Sequence, residues 1–182
     1  MKALQGIRIL DLTHMLSGPY AGMMLADLGA ESIKVEPPVT GEGTRRLLEK
    51  DAENSLNGFG AYFMTLNRNK KSVTLDLKSE KGLEIFYELV KTADIVLSNF
   101  SAGVTQRLKI DYEHLSKINP RIITCTVTGF GETGPAKNRT AFDMVAQAMG
   151  GGMSITGQIG NPPTRSGIPI GDLGGGLMGV IG

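Results

Sequence analysis

The N-terminal part of the chain alternates between apolar strand-like segments and a helical segment, and this alternation constrains the fold most strongly. Residues 8–12 form an apolar strand, and Pro19 suits the first turn of a helix that runs to Leu28. Gly29 ends that helix, and residues 32–36 form the next strand. A strand, a helix and a second strand within about 30 residues are typical of a βαβ unit, so the sequence predicts a parallel α/β sheet.

The rest of the chain extends this pattern. Further strands are predicted at 72–77, 95–98 and 122–127, the last of them buried because it is rich in β-branched residues. Helices are predicted after Ser79, which suits an N-cap, around 112–118 and at 141–149. Residues 37–60 show no convincing strand pattern and are expected to form a surface loop. The predicted fold is an α/β protein with a Rossmann-like, doubly wound and mostly parallel sheet.

The composition argues against several classes of protein. The 19 basic and 18 acidic side chains nearly cancel, so nothing points to nucleic acid or to an anionic membrane surface. No apolar run reaches the roughly 20 residues that span a bilayer, and the first residues lack the apolar stretch of a secretory signal. The single Cys125 lies in an apolar run, which is typical of a buried and inert thiol. We expect a cytoplasmic protein.

A Rossmann-like sheet suggests a nicotinamide or flavin cofactor, but the turn after the first strand argues against one. Residues 13–22 lack the G-x-G-x-x-G spacing that brings a pyrophosphate close to a helix N-terminus. Glu36 stands where a ribose-binding acid would lie, yet without those glycines it is typical of a surface carboxylate. A Walker lysine and a metal-ligand cluster are missing, and His14 and His114 lie far apart in the sequence. We expect no permanently bound cofactor and no metal.

A glycine-rich segment at 168–176 contains a candidate nucleophile, Asp172. The surrounding glycines leave little bulk around its carboxylate, so a large acyl ester could approach it closely. An aspartate is already ionised at neutral pH and needs no general base to act as a nucleophile. The motif is weak alone, and its weight comes from the segments that precede it.

Several segments, taken in their order and spacing, resemble the family III CoA-transferases, the group of formyl-CoA transferase and carnitine CoA-transferase. The similarity extends over essentially the whole chain. The matching segments are residues 4–12, 18–19, 28–36, 67–72, 93–100, 129–131, 134–135, 139–143 and 171–172.

The resemblance implies that Asp172 is the catalytic nucleophile. Its carboxylate would attack an acyl-CoA thioester to form an aspartyl–acyl anhydride and then an aspartyl-CoA thioester, from which a carboxylate acceptor receives CoA. An acyl-CoA donor and a carboxylic acid are thus the expected partners, and CoA is a substrate. Gly174 and Gly175 could donate N–H groups to an oxyanion, or could equally allow a helix to pack closely.

The resemblance also implies contacts with CoA, which carries phosphates and an adenine. The basic turn at 67–71 would meet phosphate, and Phe100 would stack on the adenine or fill the core. The expected CoA contacts are Arg45, Asn67, Arg68, Lys70, Lys71, Leu75, Asn99, Phe100 and Arg107. Two positions depart from formyl-CoA transferase, since Pro37-Pro38 replaces arginines near the adenine and Thr140 replaces a lysine.

Two alternative functions stay open. The α-methylacyl-CoA racemases share this fold, but they need a histidine where Phe142 stands, and a phenylalanine cannot move a proton. The other alternative is a CoA-binding fragment without turnover, because family members have a smaller second domain and form interlocked homodimers. The chain ends at Gly182 in an uncapped apolar helix start. Residues 1–182 are therefore expected to be the CoA-binding large-domain portion of a longer enzyme, lacking the smaller domain and inactive alone.

Overall fold

The computed structural model describes residues 2–182 and is built around a parallel β-sheet. Its strands are β1 (Arg8–Asp11), β2 (Glu31–Glu36), β5 (Lys70–Thr74), β6 (Ile95–Ser98) and β7 (Ile123–Thr126), and the short strands β3 (Ser55–Leu56) and β4 (Phe59–Gly60) form a separate antiparallel hairpin. The parallel strands follow the order β5-β2-β1-β6-β7. The chain thus starts at the centre and proceeds to both edges, which confirms the doubly wound sheet.

Helices connect the strands and cover both faces of the sheet. They are α1 (Ser17–Asp27), α2 (Ala61–Leu66), α3 (Glu80–Val90), α4 (Val104–Arg107), α5 (Tyr112–Leu115), α6 (Asp143–Met149) and α7 (Ile170–Ile181). The N-cap predicted for α3 is confirmed, since Ser79 Oγ accepts a hydrogen bond from the Gly82 amide at 3.1 Å. Within residues 2–182, no helix combines the length and the apolar character needed to cross a bilayer.

Neighbouring strand residues alternate between two apolar layers, because successive side chains of a strand point to opposite faces. Leu10 belongs to the cluster that contains Phe86 of α3 and Leu115 of α5. Ile9, by contrast, packs with Leu25 of α1, and the last helix contributes Val180 to the same layer. The sheet is therefore enclosed between α3 and α5 on one face and α1 and α7 on the other.

Several segments differ from the predicted elements. The expected loop at 37–60 contains a 3-10 turn at Gly43–Arg46 and the β3–β4 hairpin. The strand expected at 72–77 is β5, which begins earlier at Lys70 because residues 70–74 pair with β2. The strand expected to be buried is β7, which lies at the sheet edge, so Ile123 is 57 % exposed.

The glycine-rich segment around Asp172 forms a helix. Helix α7 begins at Ile170, well before the helix start expected near Leu177, and it includes Asp172 in its first turn. The aspartate is therefore fixed to a regular element. Cys125 is half-buried beneath this helix, with its sulfur 3.9 Å from the Gly179 carbonyl oxygen, and burial raises the pKa of its thiol.

Candidate functional site

A cavity of about 380 Å³ lies where the strand order reverses between β1 and β6. β1 leads into α1 on one face of the sheet, whereas residues 108 and 110, after β6, pack into the core on the other face. Diverging connections of this kind leave a crevice at the carboxyl ends of the strands, where open α/β sheets bind ligands. Of the predicted site residues, Asn99, Phe100, Asp172 and Gly175 line this cavity.

The side chain of Asn99 fixes the loop that follows β1. Its Oδ1 accepts a hydrogen bond from the His14 amide at 2.8 Å, and its Nδ2 donates to the His14 carbonyl at 2.7 Å. The same loop is held by Lys34, which donates to the Thr13 carbonyl, and by Glu42, which accepts from the Met15 amide. Asn99 therefore shapes one wall of the cavity through the backbone of its neighbour.

His14 and Phe100 form an aromatic pair on this wall. Their ring centroids lie 5.2 Å apart, and the planes are tilted by 51°. Burial lowers the pKa of His14, and the positive charge of Lys34 lowers it further. The imidazole is consequently neutral at pH 7. The pair offers a flat, uncharged surface to a ligand.

Asp172 is half-buried in the first turn of α7 and faces the cavity. Next to it, the Asp143 carboxylate caps the helix by accepting a hydrogen bond from the Gly171 amide at 2.8 Å. Burial raises the pKa of Asp172, and the negative charge of Asp143 raises it further. Both effects disfavour the charged form of this carboxylate, compared with that of an exposed aspartate.

The glycines after Asp172 allow α7 to approach α1. A Cβ atom at Gly176 would lie 2.5 Å from the Ser17 carbonyl oxygen, and one at Gly175 would lie 3.1 Å from Ser17 Oγ. A Cβ at Gly174 would meet no atom within 4 Å. Both Gly174 and Gly175 are inside the helix, where amides donate to carbonyls four residues earlier. Two roles were expected for these glycines, donation of N–H groups to an oxyanion and close packing of the helix. The arrangement supports close packing at Gly175 but not at Gly174.

The basic turn at 67–71 does not line the cavity, and Lys70 is buried inside the protein. Its ammonium lies 2.8 Å from Asp11 Oδ2 and donates to the Pro19 carbonyl at 2.9 Å and to Asn67 Oδ1 at 3.0 Å. The Lys70 side chain is 1 % exposed, so a phosphate cannot reach it in this structure. Asn67 is likewise buried beside Lys70, and the CoA contacts expected of both residues stay predictions.

The remaining basic residues of this region take part in ion pairs. Arg68 pairs with Asp27 and Lys71 pairs with Glu31, both at the surface. Arg45 binds both carboxylate oxygens of Glu36 at 2.6 Å.

Glu36 is buried, so its predicted place on the surface is wrong. Burial disfavours its charge, but hydrogen bonds from Arg45 and Ser72 outweigh this and lower the pKa of Glu36 to about 2. The guanidinium of Arg45 also lies 3.9 Å from the centroid of the Phe63 ring. Leu75, another expected CoA contact, is part of the apolar core.

Arg107 lies in a second cavity of about 450 Å³. Lys78 and Lys109 line the same cavity, so three cationic side chains surround it, together with Ser79 and Glu80 at the start of α3. Arg107 is exposed and free of any ion pair with residues 2–182. This cavity therefore has the positive charge that was expected at 67–71.

Three residues in or next to these cavities were not predicted to have a role. In the sequence, Asp143 stands out only as part of the matched segment 139–143. Nothing in the sequence of the short helix α6 indicates that this carboxylate caps a different helix, α7. Ser17 was assigned to a turn, although it begins α1. Lys78 was predicted to lie between a strand and a helix. The other two cationic residues that line its cavity, Arg107 and Lys109, follow about 30 positions later in the sequence.

No metal-binding group of three or more His, Cys, Asp or Glu side chains occurs among residues 2–182. The cavity around Asp172 offers a carboxylate and hydrogen-bonding groups. Phe142, which lines it and is 73 % exposed, carries no transferable proton.

Comparison with known proteins gives the same family at the levels of sequence and structure. The sequence model described as CoA-transferase family III matches residues 4–182. The chain is 44 % identical to mouse succinyl-CoA:glutarate CoA-transferase over 178 residues, covering 98 % of this chain and 40 % of that protein. It is 45 % identical to a formyl-CoA:oxalate CoA-transferase from Streptomyces avermitilis, covering 100 % of this chain and 43 % of that protein.

A solved structure shows the same architecture. A CAIB/BAIF family protein from Brucella suis superposes with a TM-score of 0.92 at 40 % sequence identity, covering 99 % of this chain and 47 % of that one. The chain thus spans less than half the length of the relatives that it matches.

Proposed function

Because this chain belongs to CoA-transferase family III, we propose that the protein moves CoA from an acyl-CoA thioester to a carboxylic acid, with Asp172 as the nucleophile. The observation that carries the proposal is the position of Asp172. Its half-buried carboxylate faces the cavity at the strand switch point, next to the Asn99–Phe100 wall. This is the place where a doubly wound sheet binds a ligand that extends along its carboxyl edge.

The first half of the reaction removes the acyl group from CoA. A carboxylate oxygen of Asp172 attacks the thioester carbonyl carbon, so that a C–O bond forms, the C–S bond breaks and CoA leaves as a thiolate. The product is an aspartyl–acyl anhydride. The thiolate then attacks the aspartyl carbonyl of this anhydride, which releases the donor carboxylate and leaves an aspartyl-CoA thioester.

The second half repeats these steps in reverse with the acceptor. The acceptor carboxylate attacks the aspartyl-CoA carbonyl, which releases the thiolate and forms a new anhydride. The thiolate attacks the acyl carbonyl of that anhydride, yielding the new acyl-CoA and the free Asp172 carboxylate. One thioester is formed for each one consumed, so no other energy source enters the reaction.

The positive second cavity is the proposed site for the phosphates of CoA. Arg107, Lys78 and Lys109 surround it, and arginine in particular can form paired hydrogen bonds with phosphate oxygens. Leu83 and Leu108 of this cavity and Phe100 of the first pack against the same core cluster. We infer that CoA extends between the two cavities past Phe100, with its thioester near Asp172.

The complete protein is proposed to continue into a smaller domain and to form a homodimer, as the family resemblance implies. Large apolar side chains of α7 and of the segment before it are exposed, and examples are Ile155 at 88 %, Met178 at 62 % and Ile181 at 69 %. Surfaces of this kind are typical of interfaces. We propose that the second domain or the partner protomer covers them, and that residues 1–182 alone have no turnover.

The test is a screen of acyl-CoA donors and carboxylate acceptors with the complete protein, followed by replacement of Asp172. We expect Asp172→Ala to lower the rate of CoA exchange by about a thousandfold or more, as removal of a catalytic nucleophile does. Hydroxylamine should trap the acyl-enzyme at Asp172, as seen by mass spectrometry of the modified peptide.

Other outcomes would contradict the proposal. Trapping at a different side chain would remove Asp172 from its role. Exchange of the acyl α-hydrogen with solvent, without transfer of CoA, would instead indicate the racemase reaction. CoA transfer by residues 1–182 alone would refute the proposed need for the rest of the protein.

A further inference from the structure

Ser17, the first residue of α1, carries a buried hydroxyl group that has no hydrogen-bond partner among residues 2–182. A buried hydroxyl without a partner destabilises a fold, because it loses the hydrogen bonds that water would provide. A buried group of this kind calls for an explanation, and a partner that arrives in another state of the protein is one such explanation. Ser17 lies on the wall of the cavity that contains Asp172, which indicates where that partner is.

The hydroxyl points to the face of α7 that carries Asp172. Residue 175 is three positions after Asp172, so the two lie on the same side of the helix. A helical side chain leans towards the N-terminus and covers the preceding turn. A side chain at 175 would therefore cover the surface next to Asp172, and its Cβ would lie 3.1 Å from Ser17 Oγ. Because residue 175 is glycine, this space is free for another group.

The Asp172 carboxylate accepts no hydrogen bond from residues 2–182 in this structure. The titratable side chains near it are Asp143 of α6, whose charge raises the pKa of Asp172, Tyr62 of α2, whose own pKa Asp172 raises, and His14 and Arg139, which line the same cavity. Asp143 is an acceptor whose own oxygens bind the Gly171 amide and Gln147. Ser17 is a donor on α1 whose hydroxyl faces α7 at Gly175.

We propose that Ser17 is the positioning residue for Asp172 in the CoA-transfer reaction. When acyl-CoA fills the cavity, the carboxylate turns towards the gap at Gly175, and one of its oxygens accepts a hydrogen bond from Ser17 Oγ. The other oxygen is then aimed at the thioester carbonyl. This inference rests on the proposed function, and it adds a side chain that holds the nucleophile in its reactive orientation.

Ser17→Ala tests the inference, and Ser32→Ala is its matched control. Ser32 Oγ is also buried without a partner, but it lies in β2 and lines neither cavity. Each variant removes one orphan hydroxyl, so neither should lower the melting temperature. We expect Ser17→Ala in the complete protein to lower kcat by about tenfold or more, with little change in KM, because a hydrogen bond to a charged group is lost. Ser32→Ala should keep the wild-type kcat.

The pH profile separates positioning from a structural role. A hydrogen bond to the ionised carboxylate lowers its pKa, so loss of the Ser17 hydroxyl should move the acidic limb of kcat towards higher pH. Ser17→Thr keeps the hydroxyl and should retain most of the activity. A wild-type kcat and pH profile in Ser17→Ala would overturn the inference, as would equal losses in Ser17→Ala and Ser17→Thr.

Filling the gap gives a second test through α7. Gly175→Ala places a methyl group against Ser17 Oγ and should lower kcat, whereas combining it with Ser17→Ala should cause little further loss. Additive losses in the double variant would contradict the inference. If the wild-type protein transfers no CoA between any donor and acceptor, the proposed function itself fails, and this result is distinct from an unchanged Ser17→Ala variant in an active enzyme.

Discussion

The charges buried in β1, β2 and β5 are paired, whereas Ser17 and Asp172 at the cavity make no side-chain hydrogen bond with residues 2–182. Asp11 lies against the Lys70 ammonium at 2.8 Å, and Glu36 binds Arg45 through both oxygens. At the cavity, Ser17 Oγ has no hydrogen-bond partner among residues 2–182, and burial raises the pKa of Asp172. The paired charges are thus satisfied within the fold, whereas the Ser17 hydroxyl and the Asp172 carboxylate find no such partner among residues 2–182.

The paired charges also position the cavity. Burial disfavours the charge of Asp11, but Lys70 and Lys34 outweigh it and lower the pKa of Asp11. Lys34 in turn donates to the Thr13 carbonyl at 2.7 Å, and Glu42 accepts from the amide of Met15 at 3.0 Å. Met15 has a φ of 65°, a conformation that a side chain other than glycine adopts only when its surroundings hold it there. The buried network therefore fixes the loop that forms the cavity wall.

The largest effect is expected from breaking the buried pair. Lys70→Met leaves Asp11 charged and without its partner in the core, which should lower the free energy of unfolding by about 3–5 kcal/mol. Urea denaturation followed by circular dichroism measures this loss. If Lys70 bound a CoA phosphate instead, the variant would raise KM for acyl-CoA and leave the stability nearly unchanged.

Lys71→Met is the matched control for this variant. The neighbouring Lys71 is 70 % exposed and pairs with the surface carboxylate of Glu31. Exposed ion pairs contribute little, so its loss should cost less than about 1 kcal/mol. Equal destabilisation by the two variants would contradict the distinction between the network and the surface.

The sheet could be predicted from the sequence because strand and helix periodicities are local. Buried strands such as β1 and β6 contain adjacent apolar residues, Ile9-Leu10 and Ile95-Val96-Leu97, and Ser79 marks the start of α3 through its capping geometry. The position of β7 at the edge could not be predicted, because strand order depends on contacts between distant segments. The same limit explains why the start of α7 was predicted too far along the sequence. Glycines lower helix propensity, and the helix is stabilised there by its packing on α1, which is distant in the sequence.

The site was less predictable than the sheet, because a charged residue type does not reveal its partner. Lys70 and Arg107 are both cations near strand or helix ends, and both were expected to contact CoA. Lys70 is buried against Asp11 in β1, 59 positions earlier in the chain, whereas Arg107 faces an open cavity. Asp172 could be proposed as the nucleophile because its glycine-rich surroundings and the family resemblance are both visible in the sequence. Its neighbour Asp143 becomes visible only when α6 and α7 meet.

A smaller effect is expected at the open cationic cavity. Arg107→Ala should raise KM for acyl-CoA by about tenfold, as loss of one charged hydrogen bond does, without lowering the melting temperature. Dephospho-CoA esters provide the comparison. Dephospho-CoA lacks one of the phosphates of CoA. If Arg107 binds that phosphate, the variant and the wild type should have similar KM values for the dephospho-CoA esters. A KM unaffected by the variant with every ester would place the phosphates elsewhere.

The smallest effect is expected from Asp143→Asn, which changes charge while keeping an acceptor for the Gly171 amide. The negative charge of Asp143 helps to raise the pKa of Asp172, so its removal should lower that pKa. In the proposed reaction only ionised Asp172 attacks the thioester, and the acidic limb of kcat/KM should therefore move to lower pH. Asp143→Ala removes the cap as well, so it should shift the limb in the same direction and also lower the stability of α7, by about 1 kcal/mol. An acidic limb that stays in place in both variants would show that Asp143 acts on the helix alone, and the cavity would then hold its nucleophile by burial without help from a second carboxylate.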